Sequence, residues 1–377
     1  MKKKITILPG DGIGKEVTAE GKKVLEKIAE VFDHQFEFDE ALIGHDAIEV
    51  TGFPLPDVTL HQLRNCDAIL FGAVGHPEYD NDPTLKVRPE QGLLKMRKEL
   101  GLYANLRPIR LFDELLEASS IKSEILKGCD ILFFRELTGD VYFGEKGRKD
   151  DGNTAYDVMI YQRYEIERIA HKAFQAARTR KKKVTSVDKA NVLESSRLWR
   201  EVVQEIGKQY PDIQLEHQFV DSAAMKLIQS PRSFDVVLTG NLFGDILTDE
   251  ASQIAGSMGM LASASLGDTV GVYEPIHGSA HDITGKGIAN PLASILSAAL
   301  LLDISFGLKK ESEMVIRAVE QTLKQGYRTT DIADSKTAKS KILRTRDMGQ
   351  HVIEQIGHLG DGKVVKEVRG EEVGGRR

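Results

Sequence analysis

The sequence predicts an α/β protein. Three observations carry that expectation. Short apolar runs alternate with amphipathic stretches of helical period, glycine-rich turns follow several of those runs, and 377 residues suffice for one large domain or two ordinary ones with full cores. A content of 41% hydrophobic and 29% charged residues is the balance of a globular chain. The 51 basic and 57 acidic residues leave a formal charge of −6, which supports no nucleic-acid or membrane partner.

In chain order, Lys4–Leu8 reads as a strand and Lys15–Phe32 as an amphipathic helix, with Val17, Val24, Leu25, Ile28 and Val31 on one face. Ala68–Phe71 reads as a strand entering the loop Gly72–Gly75. Further strands are expected at Ile131–Phe134, Val184–Val187 and Asp235–Leu238. Helices are expected over 165–179, 194–205, 223–229, 243–257, 291–306 and 309–325. The most apolar segment, Ala293–Ile304, falls short of the roughly 20 residues a membrane span needs. The lysine runs at 2–4 and 181–183 flank strands and read as solvated edges. Cys66 and Cys129 lack metal-ligand spacing, which fits a reducing compartment. The apolar run before Pro9 is too short for a signal peptide, so a cytoplasmic protein is expected. Residues 361–377 carry no period and read as a mobile tail.

Pro9–Glu16 links a strand to a helix through Gly10, Gly12 and Gly14, which invites a nucleotide-binding reading. Lys15 stands where a dinucleotide fingerprint needs its last glycine, and Pro9 and Glu16 break the phosphate-loop pattern. A structural turn and a loop lining a ligand cleft both remain open.

Asp245 and Asp249 lie four apart, so a helix puts both carboxylates on one face. Spacing alone slightly favours a charged face over a Mg²⁺ or Mn²⁺ site, with Asp221 as a possible third ligand. Other groups shift that balance. Lys189, in the run Asp188–Val192, follows a strand at the edge where open α/β sheets bind ligands. The segment Arg135–Gly144, with Tyr142, follows another, and Arg97, Arg107 and Arg135 suit bidentate binding of carboxylates. Together they describe a site where a small polyanion exchanges protons.

These motifs, with Leu8–Gly14, Tyr103–Pro108, Asn241–Ser252 and Glu274–Ala280, resemble the metal-dependent, decarboxylating β-hydroxyacid dehydrogenases, the isocitrate/isopropylmalate dehydrogenase family. The likeness covers roughly Lys4 to Gly357. It implies a two-domain α/β fold that is not a Rossmann fold, with the active site in the cleft between the domains. The expected domains are a discontinuous, cofactor-side one (1–102 and 256–357) and a second (103–255) with the dimer interface and metal ligands, followed by a tail at 358–377.

The resemblance assigns Glu274, His277, Gly278, Ser279, Ala280, Asp282, Ile283 and Asn290 to the cofactor, with Asp282 favouring NAD over NADP. It assigns Arg97, Arg107 and Arg135 to the substrate carboxylates and Asp221, Asp245 and Asp249 to Mg²⁺ or Mn²⁺. Glu90, Leu93 and Leu94, with Asn191, Val192 and Asp221, complete the substrate contacts; the two leucines offer apolar surface to a branched alkyl group. Lys189 is the implied base or relay and Tyr142 the implied acid.

The implied reaction is oxidative decarboxylation of (2R,3S)-3-isopropylmalate to 4-methyl-2-oxopentanoate, in leucine biosynthesis. In the family Lys189 and Asp221 reach the site from a partner subunit, which implies a homodimer. Tartrate, malate, homoisocitrate or isocitrate as substrate, and a non-catalytic regulatory relative, are the rivals. The chain departs from the family pattern at Asp140, where glycine is usual, and at Ala262 and His281, where proline is common.

Overall fold

The computed structural model describes residues 1–82 and 84–361. The helix Thr345–Asp361 takes in positions 358–361 of the expected tail, and the remainder of that tail lies outside the described residues. The strands are β1 (Lys2–Gly10), β2 (Gln35–Glu40), β3 (Ala68–Ala73), β4 (Ala104–Arg110), β5 (Asp130–Glu136), β6 (Lys146–Lys149), β7 (Thr154–Asp157), β8 (Lys183–Asp188), β9 (Gln214–Phe219), β10 (Val236–Thr239), β11 (Ala262–Leu266) and β12 (Gly271–Pro275). The chain divides into two compact units. One is Met1–Met96 together with the segment from Val270 onward; the other is Arg97–Thr269.

In the first unit β2, β1, β3 and β12 lie side by side and run parallel. Every residue of β3 is buried. Since successive side chains point to opposite faces, both faces must be covered, which a continuous apolar run supplies and an alternating one would not. Helix Gly14–Phe32 turns Val17, Val24, Leu25 and Ile28 inward. Helix Leu292–Ile304 is apolar all round because it packs against Gly14–Phe32, Lys309–Lys324 and β12. No helix among the described residues is long and apolar enough to cross a membrane. The N-terminal lysines meet acids on neighbouring segments: Lys2–Glu37 at 2.7 Å, Lys3–Asp67 at 2.8 Å and Lys4–Asp39 at 2.6 Å.

In the second unit the order is β11-β4-β5-β10-β8-β9, antiparallel from β11 to β5 and parallel from β5 to β9. Phe134, Ile166, Ile169, Phe174, Trp199, Val202 and Val203 fill the core beneath it. The parallel register of β5, β10 and β8 delivers the segments after Glu136, Thr239 and Asp188 to one sheet edge. Those segments carry Tyr142, Asp245 and Lys189.

Candidate active site

Helix Asn241–Ala255 follows β10 and carries Asp245 and Asp249 one turn apart. Arg135, at the end of β5 and 2% exposed, lies beneath that helix. It donates from Nη1 to Asp245 Oδ1 at 2.5 Å, and from Nε and Nη2 to Asn241 Oδ1 at 3.0 and 2.8 Å. This close approach requires Gly244, because a Cβ there would meet the Arg135 side chain at 2.7 Å. Arg107, on β4, donates to Asn105 Oδ1 at 2.6 Å and Thr248 Oγ1 at 2.5 Å, and its guanidinium lies 3.5 Å from Asp245 and 3.9 Å from Asp249. Tyr142 donates to Asp245 Oδ2 at 2.6 Å.

The surroundings split the two acids. Burial pushes the Asp245 carboxyl upward, but Arg135, the Tyr142 hydrogen bond, Arg107 and Arg97 outweigh it and hold the carboxyl below its ordinary range. Asp249 is raised: desolvation exceeds what the more distant Arg107 returns. A half-exposed carboxyl with too little positive charge beside it fits a divalent cation, since oxygen donors are what Mg²⁺ and Mn²⁺ take. Burial, then Asp245, push the Tyr142 phenol up to about 12, so it carries its proton at neutral pH.

Asp140 occupies a left-handed backbone position (φ 75°), and glycine suits that conformation best. Its buried carboxylate compensates. It accepts from Val141 N at 2.7 Å, Leu242 N at 3.1 Å and the Tyr161 hydroxyl at 3.1 Å, and that hydroxyl accepts from Asn241 N at 2.7 Å. Asp140 and Tyr161 thus cap the helix that carries the two acids, where Gly240 offers no side chain.

Lys189 pairs with Asp221 at 2.9 Å, and that hydrogen bond lowers the aspartate's pKa. Asp221, Asp245 and Asp249 do not gather: among the described residues, the one group of three acidic or ligating side chains within 4.8 Å lies elsewhere. Asn191 and Val192 are exposed, as are Met225, Ile228 and Ile246 on the neighbouring helices.

The first unit assembles a second set of loops. Gly12 (φ 56°) lies against the segment 277–283 so closely that a Cβ would fall 2.0 Å from Ser279 O, and Ile13 N donates to that oxygen at 2.9 Å. Ala280 and Ile283 pack on Ile13 and Val17. The buried Asp11 carboxylate accepts from His45 N at 3.0 Å, Asp46 N at 3.3 Å and Gly75 N at 2.9 Å. His281 Nε2 meets Gly75 O at 2.7 Å. Glu274 is buried at the end of β12, and Asn290 Oδ1 accepts from Leu292 N at 3.0 Å while its amide reaches Asp331 at 3.1 Å. Gly278 has open space where a side chain would stand, Asp282 is exposed, and His277 Nε2 is buried without a partner. An orphaned buried nitrogen beside open backbone fits a segment that receives a polar ligand. Glu90, Leu93, Leu94 and Arg97 share the helix Pro89–Glu99 at spacings that place them along one side.

A family model described as isocitrate/isopropylmalate dehydrogenase matches residues 4–352. The chain belongs to that family. It is 58% identical to a 3-isopropylmalate dehydrogenase of Shouchella clausii over 92% of this chain and 95% of that one. It is 51% identical to one of Aquifex aeolicus over 96% and 99%. Among solved structures, an isocitrate dehydrogenase from Methylococcus capsulatus superposes with a TM-score of 0.82 at 34% identity, covering 94% of this chain and 99% of that one. A beta-decarboxylating dehydrogenase from Thermococcus kodakarensis gives 0.77 at 34%, covering 96% and 98%.

As a member of this family of decarboxylating dehydrogenases, the chain brings Arg97, Arg107, Arg135, Tyr142, Asp245 and Asp249 together, and it sets Lys189 with Asp221. Sequence reasoning missed the groups that aim these side chains: Asn105, Asn241 and Thr248 beside the arginines, and Asp11 and Gly75 beside the segment 277–283. The one available signal was the Asn-x-x-Gly-Asp run at the helix start, where a short polar residue suits the first turn.

Proposed function

We propose that this enzyme carries out the NAD- and Mg²⁺- or Mn²⁺-dependent oxidative decarboxylation of (2R,3S)-3-isopropylmalate to 4-methyl-2-oxopentanoate and CO₂, a cytoplasmic step of leucine biosynthesis. The observation that carries the reading is the Arg135–Asp245–Tyr142 linkage, in which a buried cation, a depressed carboxylate and a protonated phenol share one point. Asp245 and Asp249 would hold the divalent cation, with Asp221, and the segment from His277 to Ile283, with Glu274 and Asn290, would hold NAD. When bound, the cation supplies Lewis-acid polarisation of the C2 hydroxyl and stabilises the charge left by CO₂, and NAD⁺ accepts the hydride.

The chain's own residues do the rest. Arg97, Arg107 and Arg135 bind the substrate carboxylates; Asn105 and Asn241 fix Arg107 and Arg135, so those two lose little rotamer freedom on binding. Lys189 removes the C2 hydroxyl proton. Tyr142, still protonated at neutral pH, delivers a proton to the carbon that lost CO₂. Leu93 and Leu94, with Val192, meet the isopropyl group, which disfavours a third carboxylate.

The separate Lys189–Asp221 pair supports a homodimer in which each chain lends that pair to its partner's centre. Exposed Val192, Met225, Ile228 and Ile246 are apolar surface of the kind a second copy would cover.

The test is a steady-state assay with NAD⁺ and Mg²⁺. 3-Isopropylmalate should yield NADH and CO₂ in equal amounts, and NADP⁺ should be a poor substitute. Comparable kcat/KM for malate, tartrate, isocitrate or homoisocitrate would overturn the substrate assignment. No turnover with any of them would overturn the enzyme reading.

A further inference from the structure

A second cluster of metal-ligating side chains lies in the first unit. His45 opens the helix His45–Thr51, His76 stands at the N-cap of Pro77–Asn81, and Glu78 follows two residues later. One ligating atom from each of the three lies within 4.8 Å of the others. The His45 and His76 rings stack with centroids 4.0 Å apart and planes at 17°. Glu78 Oε2 is 3.9 Å from His76 Nδ1. The Tyr79 hydroxyl lies 3.3 Å from His45 Nδ1, and its ring stands edge-on to both imidazoles.

The arrangement is prepared by the backbone. The buried Asp11 carboxylate holds His45 N and Gly75 N together, so the two segments bearing the histidines cannot drift apart. His281 closes a further side, its ring 4.5 Å from that of His76 while its Nε2 stays on Gly75 O.

Neutral imidazoles beside one carboxylate make a donor set for Zn²⁺, Co²⁺, Ni²⁺ or Cu²⁺ and a poor one for Mg²⁺. Ligand bonds of about 2.0–2.2 Å place donor atoms roughly 3.4 Å apart in a tetrahedral site, a closure that needs the exposed Glu78 side chain to rotate and one imidazole to turn out of the 4.0 Å stack, so that both ring planes meet at the metal. Tyr79 is an outer partner of the sort that fixes a ligating ring.

We propose that His45, His76 and Glu78 form a site for a borderline divalent transition metal, of the Zn²⁺ class. It is distinct from the carboxylate centre at Asp245 and Asp249, and water completes its coordination.

The test uses the full-length, tag-free protein in excess Mg²⁺, which keeps the carboxylate centre occupied. Zn²⁺ is titrated in competition with a chromophoric chelator, and Cu²⁺ binding is followed by electron paramagnetic resonance. The expected result is one Zn²⁺ equivalent per chain and a Cu²⁺ spectrum with nitrogen splitting from two imidazoles. Zn²⁺ affinity should fall at least about tenfold in His45→Ala and in Glu78→Gln. His76→Asn keeps an acceptor at the N-cap, so loss of binding in that variant with an unchanged circular dichroism spectrum isolates the ligand role. Asp249→Asn should leave this Zn²⁺ affinity as it is. Zn²⁺ binding that is absent in excess Mg²⁺, indifferent to the histidine variants, or lost in Asp249→Asn overturns the proposal.

Discussion

The two centres of this molecule are built by different means. In the second unit, charged side chains face one another: Arg135 and Arg107 meet Asp245, and Tyr142 donates to the same carboxylate. In the first unit, backbone does the work: Asp11 gathers peptide N–H groups from two other segments, Gly12 lies flat on Ser279, and His281 binds a carbonyl. A side-chain centre loses chemistry when a residue changes, whereas a backbone centre loses geometry and stability first. Substitutions in the two should therefore separate into effects on kcat and effects on Tm.

The largest effect is expected at Lys189. Lys189→Ala should lower kcat by roughly 10³-fold, the scale of a lost general base, while calorimetry still detects 3-isopropylmalate binding. A kcat near that of the parent enzyme would remove Lys189 from the centre. On the other side of the comparison, Asp11→Ala strands several buried N–H groups and should destabilise by about 2–3 kcal/mol, read as a lower denaturant midpoint. If Asp11→Ala instead cut kcat with no loss of stability, the distinction between the centres would fail. Gly12→Ala places a Cβ on Ser279 O in a left-handed conformation; a cost of roughly 2 kcal/mol and a raised KM for NAD⁺ are expected. Asp140→Asn keeps a residue that tolerates positive φ but weakens the cap, and should cost about 1 kcal/mol.

The smallest expected effect concerns the two aspartates, whose shifts have opposite signs. Asp245 is depressed in the folded chain, so it adds stability above the ordinary carboxylate range, and this is lost as pH falls through its lowered value. Asp249 is raised, so its contribution is full below the ordinary carboxylate pKa and is lost as pH rises through the raised one. In metal-free protein at neutral pH, Asp245→Asn should lower Tm and Asp249→Asn should raise it. The same sign for both would mean that the arginines do not discriminate between them.

Much of the scaffold was legible in the residues. The expected strands at 4–8, 68–71, 131–134, 184–187 and 235–238 correspond to β1, β3, β5, β8 and β10, and the seven expected helices stand within a few residues of their predicted ends. Several of the elements passed over have weak periodicity. β11 reads Ala-Ser-Ala-Ser-Leu and is buried through its first four residues, so no polar–apolar contrast marks it. β12 reads Gly-Val-Tyr-Glu-Pro and buries even its glutamate. The short helices at His45–Thr51 and Asp57–Arg64 offer few buried positions from which to read a helical face.

The site was legible by residue type and not by partner. A four-residue spacing on a helix places Asp245 and Asp249 on one face whatever surrounds them, and buried arginines need anions wherever they stand, so local sequence determined these features alone. Only the tertiary structure decided that Arg135, far away in the chain, takes Asp245, that Asp221 goes to Lys189, and that one acid falls while its neighbour rises. The reason is physical. Coulomb energy and desolvation depend on distances of a few ångströms across packed elements, and spacing along a chain sets such distances only within a turn or two of helix.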